Sequence, residues 1–180
     1  MLSDLQKRKL TSMFKAYDFD DDGFLVEADY QKVIDNLAEA RGWKPDSPQY
    51  ETLRDAYMGV WQGLRSHADA NRDDRVSFDE MVAYNQGVME SRVRFEGEVL
   101  ALGGLLFDLA DMDGDGQIQP ADMASFHRCL GEDIPSGDVF RRLDTNGDGR
   151  ISKDEIVRHV SDFYYSSDPD APGNWLFGPF

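Results

Sequence analysis

The sequence predicts an all-α fold made of four repeated helix–loop–helix units. Three observations point to it. An Asp-rich segment of twelve residues recurs four times: DFDDDGFLVEAD from Asp18 to Asp29, DANRDDRVSFDE from Asp69 to Glu80, DMDGDGQIQPAD from Asp111 to Asp122, and DTNGDGRISKDE from Asp144 to Glu155. Apolar residues on either side of these segments recur at helical spacing. The chain carries 35 acidic and 19 basic residues, a formal net charge of −16, yet 12% of it is aromatic, which argues against a disordered polyelectrolyte.

The elements follow in order. Ser3 and Gln6 form a capping-box pair at the start of the first helix. Leu10, Met13, Phe14 and Tyr17 fall on one face before the first loop, and Tyr30, Val33, Ile34 and Leu37 repeat that spacing after it. Ser47 followed by Pro48 starts the third helix, and Leu53, Tyr57, Val60, Trp61 and Leu64 run along it towards the second loop. A linker is expected around Gln86 to Ser91. Phe95, Val99, Leu102, Leu106 and Leu109 lead into the third loop, and Ile156, Val160, Phe163 and Tyr164 follow the fourth. Each stripe is read as a face packed against other helices. Domains are expected at 1–88 and 89–165, one pair of units each. The tail from 166 to 180, with its prolines, glycines, Trp175, Phe177 and Phe180, is expected to pack across both halves.

The loops carry the chemistry. A calcium ion takes six to eight oxygen ligands, and a twelve-residue loop supplies them from side chains at positions 1, 3, 5 and 12 and the carbonyl at position 7. Position 6 favours glycine because its backbone is left-handed. Loop 4 matches throughout, with Asp144, Asn146, Asp148, Gly149, the Arg150 carbonyl and Glu155. Loop 3 offers Asp111, Asp113, Asp115, the Gln117 carbonyl and Asp122. Loop 1 offers Asp18, Asp20, Asp22, the Phe24 carbonyl and Asp29. Loop 2 offers Asp69, Asn71, Asp73, the Arg75 carbonyl and Glu80, with Asp74 at position 6. Asp tolerates the left-handed region better than most residues, so loop 2 is expected to be weakened but not abolished. Position 8 holds Leu25, Val76, Ile118 and Ile151, the apolar residues through which neighbouring EF-hand loops pair by a short strand contact. Three to four calcium ions are expected, with magnesium competing mainly in loops 1 and 3. There the shorter Asp at position 12 favours a smaller cage.

Other classes fit poorly. The acidity disfavours nucleic acid and anionic membranes. No apolar run approaches the ~20 residues that cross a bilayer, and the N-terminus lacks the apolar region of a signal peptide. The single cysteine, Cys129, permits no intramolecular disulfide and reads as a small buried hydrophobe in a cytosolic protein. His67, His127 and His159 read as solvated or packed, the last two on helices within or beside polar faces. No nucleophile elbow, phosphate-cradling loop or zinc spacing is present, so the chain reads as a non-enzyme.

From LSDLQKRKL through WQGLRSHADANRDDRVSFDEMVAY to GNWLFG, the chain resembles the sarcoplasmic calcium-binding proteins. The resemblance implies four EF-hands in two face-to-face pairs, packed as one compact globule, and a role as a cytosolic calcium buffer with some loops holding magnesium at rest. Two alternatives share the framework. One is a calcium sensor that opens onto a protein partner, although the seven methionines are scattered and line no groove. The other is a coelenterazine-binding photoprotein or luciferin carrier, for which the three histidines are few. A monomer is expected, and no protein partner is indicated.

Overall fold

The computed structural model describes residues 2–130 and 134–180, with the side chains of residues 100 and 101 excepted. It is an all-α protein with short β contacts. In chain order the elements are α1 (Asp4–Tyr17), β1 (Phe24–Leu25), α2 (Glu27–Ala40), α3 (Pro48–Ala68), β2 (Val76–Ser77), α4 (Phe78–Met89), α5 (Arg92–Arg94), a π-helical turn (Phe95–Val99), α6 (Leu100–Ala110), α7 (Pro120–Cys129), α8 (Ser136–Leu143), α9 (Lys153–Tyr165) and a 3₁₀ turn (Pro172–Trp175).

Local sequence sets the helix ends. The Ser3 side chain accepts from the Gln6 amide at 3.2 Å while Gln6 Oε1 accepts from the Ser3 amide at 2.9 Å, so two otherwise orphaned donors are satisfied together. Ser47 caps α3 in the same position, with Pro48 in the first turn. Residues 86 to 89, expected as linker, are instead the last turn of α4, and the break is confined to Glu90 and Ser91. Val88 is fully buried, so this turn stays helical because its apolar face has somewhere to pack. The stripe from Phe95 to Leu109 is helical as expected, but it passes through a π turn containing Gly97.

The loops pair as the position-8 residues suggest. β1 and β2 are antiparallel, with Leu25 opposite Val76, and Ile118 and Ile151 exchange both backbone hydrogen bonds at 2.9 Å. All four position-8 side chains are essentially inaccessible, the most exposed being Leu25 at 1%. One hydrophobic core runs through both loop pairs, with Trp61 fully buried in it, 5.3 Å between its ring centroid and that of Tyr30. Burying each such large side chain stabilises the fold by about 1.5–3 kcal/mol.

The C-terminal tail crosses from one half to the other. Phe177 is buried between Tyr17 of α1 (6.3 Å between rings) and Phe163 of α9 (5.2 Å). Trp175 lies under the Arg142 guanidinium at 4.1 Å, and the Pro179 carbonyl accepts from Ser12 at 2.8 Å. Lys9 of α1 is fully buried and donates to the carbonyls of Asp162 and Ser166 and to Asn174 Oδ1 at 3.0–3.2 Å. A buried ammonium needs such partners, and here they are the C-terminal carbonyls of α9 and an equally buried asparagine. Arg41, at the end of α2, donates to the carbonyls of Asp108, Leu109 and Asp111. It thereby caps α6 where that helix enters loop 3. Cys129 is buried, as expected.

Candidate metal centres

All four loops are built the same way. The incoming helices α1, α3, α6 and α8 each end on the position-1 residue, Asp18, Asp69, Asp111 and Asp144, whose amide still bonds four residues back at 2.9–3.1 Å. Each position-1 carboxylate then accepts from the amides at positions 5 and 6. In loop 3 these are Asp115 at 3.2 Å and Gly116 at 2.9 Å, and loops 1, 2 and 4 repeat the pattern. Position 3 accepts from the position-5 amide: Asp20 from Asp22, Asn71 from Asp73, Asp113 from Asp115, Asn146 from Asp148. Position 5 accepts from the position-7 amides of Phe24, Arg75, Gln117 and Arg150. Carboxylates of like charge are thus turned inward and held by backbone donors. The ligand oxygens of Asp18, Asp20 and Asp22 lie within 4.8 Å of one another, and so do those of Asp111, Asp113 and Asp115.

Position 12 has two roles. Asp29, Glu80, Asp122 and Glu155 are each the third residue of the outgoing helix, and each accepts from the amide of the residue capping it: Val26, Ser77, Gln119 and Ser152, at 2.8–2.9 Å. The sequence signal for this was the S-x-x-E spacing of Ser77–Glu80 and Ser152–Glu155. Glu155 Oε2 is satisfied in this way, whereas the buried Oε1 has no partner among the described residues. A buried acceptor left without a donor is costly, and a cation in loop 4 would satisfy it. Hard anionic oxygens at the other positions complete a set suited to Ca²⁺ or Mg²⁺. Burial pushes the Asp18 and Asp29 carboxyls up, while the Ser77 amide and hydroxyl hold Glu80 low.

The loops differ in backbone strain. Position 6 has positive φ throughout: Gly23 at 84°, Asp74 at 62°, Gly116 at 84° and Gly149 at 81°. Position 4, which drew no attention in the sequence, is also left-handed, with Asp21 at 55°, Arg72 at 63°, Gly114 at 76° and Gly147 at 72°. Loop 2 therefore holds two side-chain-bearing residues in that region, loop 1 holds one, and loops 3 and 4 hold none. In loop 2 the Arg75 guanidinium also stands 3.4 Å from Asp73 and 4.1 Å over the Phe24 ring of the paired loop.

The histidines take no part in these centres. His127 and His159 are buried rather than set in polar faces, at 2% and 3% exposure. They bond to the Ser136 hydroxyl at 2.9 Å and the Leu143 carbonyl at 2.7 Å, so each replaces water with one fixed partner. Burial lowers the His127 pKa to about 4.

A family model described as an EF-hand domain pair matches residues 102–161. Calerythrin from Saccharopolyspora erythraea is 28% identical over 172 residues, spanning 92% of this chain and 95% of the relative. The solved structure of a sarcoplasmic calcium-binding protein from amphioxus superposes with a TM-score of 0.77, at 20% identity and over the whole of both chains. Residues 102–161 match an EF-hand domain pair, and over nearly its whole length the chain is similar to proteins of the sarcoplasmic calcium-binding type. The luciferin-binding protein of Renilla reniformis is also similar to this EF-hand protein, at 27% identity over 180 residues, 95% of this chain and 92% of the relative. Among the described residues of the EF-hand protein, no helix is long and apolar enough to cross a membrane.

Proposed function

We propose that this protein is an intracellular calcium and magnesium buffer that holds three to four ions, with the twenty oxygen-supplying residues named above as ligands. The observation that carries the reading is a covered apolar surface. A calcium sensor works by opening a helix pair to expose an apolar groove. Here the inner faces of both loop pairs pack on one another and on Phe177, and the large apolar side chains exposed among the described residues are Val93 and Tyr165. The division into pairs at 1–88 and 89–165, with 166–180 as a strap across them, accords with the loop pairing and the tail contacts. The chain works as a monomer in this reading.

Loops 1 and 3 are the mixed calcium/magnesium sites. Each presents four carboxylates against three in loops 2 and 4, which attracts either cation strongly. Their Asp29 and Asp122 are one methylene shorter than glutamate and favour a six-oxygen cage. Magnesium resident at rest must leave before calcium enters, so calcium uptake there is slow. The test is calcium addition to the magnesium-loaded protein, followed by the anionic dye anilinonaphthalene sulfonate. A buffer shows slow calcium uptake with no rise in dye fluorescence. A fluorescence rise that tracks calcium occupancy would instead identify a sensor.

A further inference from the structure

Two helices that leave different loop pairs are bonded to one another across the molecule. α2 leaves loop 1 and α7 leaves loop 3, and each carries the position-12 carboxylate as its third residue, Asp29 and Asp122. Loop 1 pairs with loop 2 and loop 3 with loop 4, so loops 1 and 3 share no strand contact among the described residues. Yet α2 grips both helices of the third unit. Asn36 Nδ2 donates to the carbonyl of Cys129, the last residue of α7, at 2.8 Å, and the Cys129 thiol donates back to the Asn36 carbonyl at 3.6 Å. Just past the end of α2, Arg41 Nη2 donates to the carbonyls of Asp108, Leu109 and Asp111 at 2.8–3.2 Å. Asp111 is position 1 of loop 3, so this arginine holds the backbone from which the first ligand projects.

Stiff elements carry displacement between sites. α2 has 14 residues, and at 1.5 Å per residue it is roughly 20 Å long, so a tilt of a few degrees at one end displaces the other by an ångström or more. At its loop 1 end, Asp29 is 4% exposed and accepts from the Phe19 amide at 3.2 Å and the Val26 amide at 2.8 Å. Asp18, Asp20, Asp22 and Asp29 converge there, and without a cation they repel one another. Asp29 sits in the first turn of α2, so this repulsion acts on the helix. At the other end the Asn36 and Arg41 bonds tolerate little displacement. The sign of the coupling follows. The carboxylates of loops 1 and 3 are both gathered while the Asn36 and Arg41 bonds are formed. An ion in either loop therefore favours the arrangement in which the other is ready to bind.

We propose that Arg41 and Asn36 are positioning residues that couple loop 1 to loop 3, so that an ion in one raises the affinity of the other. The effect is reciprocal, as linkage requires. It joins the two loops read above as mixed calcium/magnesium sites, which then fill together although they lie in different pairs. The proposal rests on the buffer reading, which makes both loops ion sites.

The test follows each loop through the amide of its position-6 glycine. Gly23 and Gly116 donate to Asp18 and Asp111 at 3.1 and 2.9 Å, so their proton resonances report ion entry loop by loop. The glycine-labelled full chain is titrated with calcium, with loop 1 intact or emptied by Asp18→Asn together with Asp20→Asn. Emptying loop 1 should weaken calcium binding read at Gly116 by about fivefold or more, as site-to-site coupling typically does. In Arg41→Met, emptying loop 1 should leave the Gly116 midpoint unchanged, because the link is gone while loop 3 keeps all its ligands. Asn36→Ala should also reduce the effect, and it decides the matter if the Arg41 variant fails to fold. A loop 3 midpoint that ignores loop 1 in the parent, or that depends on it equally in parent and variants, would overturn the proposal alone. A Gly116 resonance that never responds to calcium would overturn the buffer reading and the proposal with it.

Discussion

At the residue scale, the positions that decide behaviour are those where backbone and side chain make opposite demands. Asp74 occupies a left-handed position that glycine fills in the other loops. Its ion pair with Arg65 is exposed and worth little. Asp74→Gly should therefore raise calcium affinity at loop 2 by about fivefold, the equivalent of about 1 kcal/mol of relieved strain. Calorimetry of the variant beside the parent checks this, and an unchanged or weaker site would mean that Arg75 beside Asp73 limits loop 2 instead. At position 12 the demand is for reach. Replacing Asp29 and Asp122 with glutamate should make calcium binding at loops 1 and 3 resist millimolar magnesium. If magnesium competition is unchanged in the double variant, position 12 does not set selectivity. The ligand positions were legible in the sequence because their spacing is fixed by the ion. The left-handed position 4 was not, since Asp21, Arg72, Gly114 and Gly147 share a conformation and no chemical type.

At the scale of elements, helices and loop pairing followed from periodicity and from the apolar residue at position 8. The tail's role as a strap was expected from its aromatic residues alone, but its anchor was not visible in the sequence. Nothing local marks Lys9 as buried, because its partners, Asn174 and the end of α9, lie more than 150 residues away. Gly173 is part of the same anchor. A Cβ there would stand 2.6 Å from Asp162 Cβ and closer still to the His159 carbonyl oxygen, whereas one at Gly137 would meet only the end of Arg141. Gly173→Ala should thus destabilise the protein by about 1–3 kcal/mol through overpacking, and Gly137→Ala, in the first turn of α8, should leave stability unchanged or raise it slightly. Thermal melting in calcium reads both, and equal melting temperatures would show that the tail does not hold the halves together. Burial lowers the Lys9 pKa from 10.5 to about 8. Between those values the unfolded chain binds the proton that the folded chain has lost, so this residue makes stability rise with pH across that window. The rise should be absent in Lys9→Met, measured as the difference between the two melting profiles from pH 8 to 10.

For the whole molecule, charge dominates. Fourteen carboxylates at positions 1, 3, 5 and 12 face inward in four clusters on a chain of net charge −16, and four divalent ions would halve that charge. The core is continuous through both loop pairs, so repulsion in any loop is transmitted to the packing around it. Ion binding is then also folding energy. The melting temperature should fall markedly in chelator, and equal melting in chelator and in calcium would separate loop chemistry from stability. The number of ions bound is the most direct test of four working loops. Calorimetric titration of the chelator-stripped chain with calcium should give three to four ions per chain, loop 2 filling last, with one ion lost in Asp144→Ala. Two ions or fewer, or an unchanged count in that variant, would contradict it.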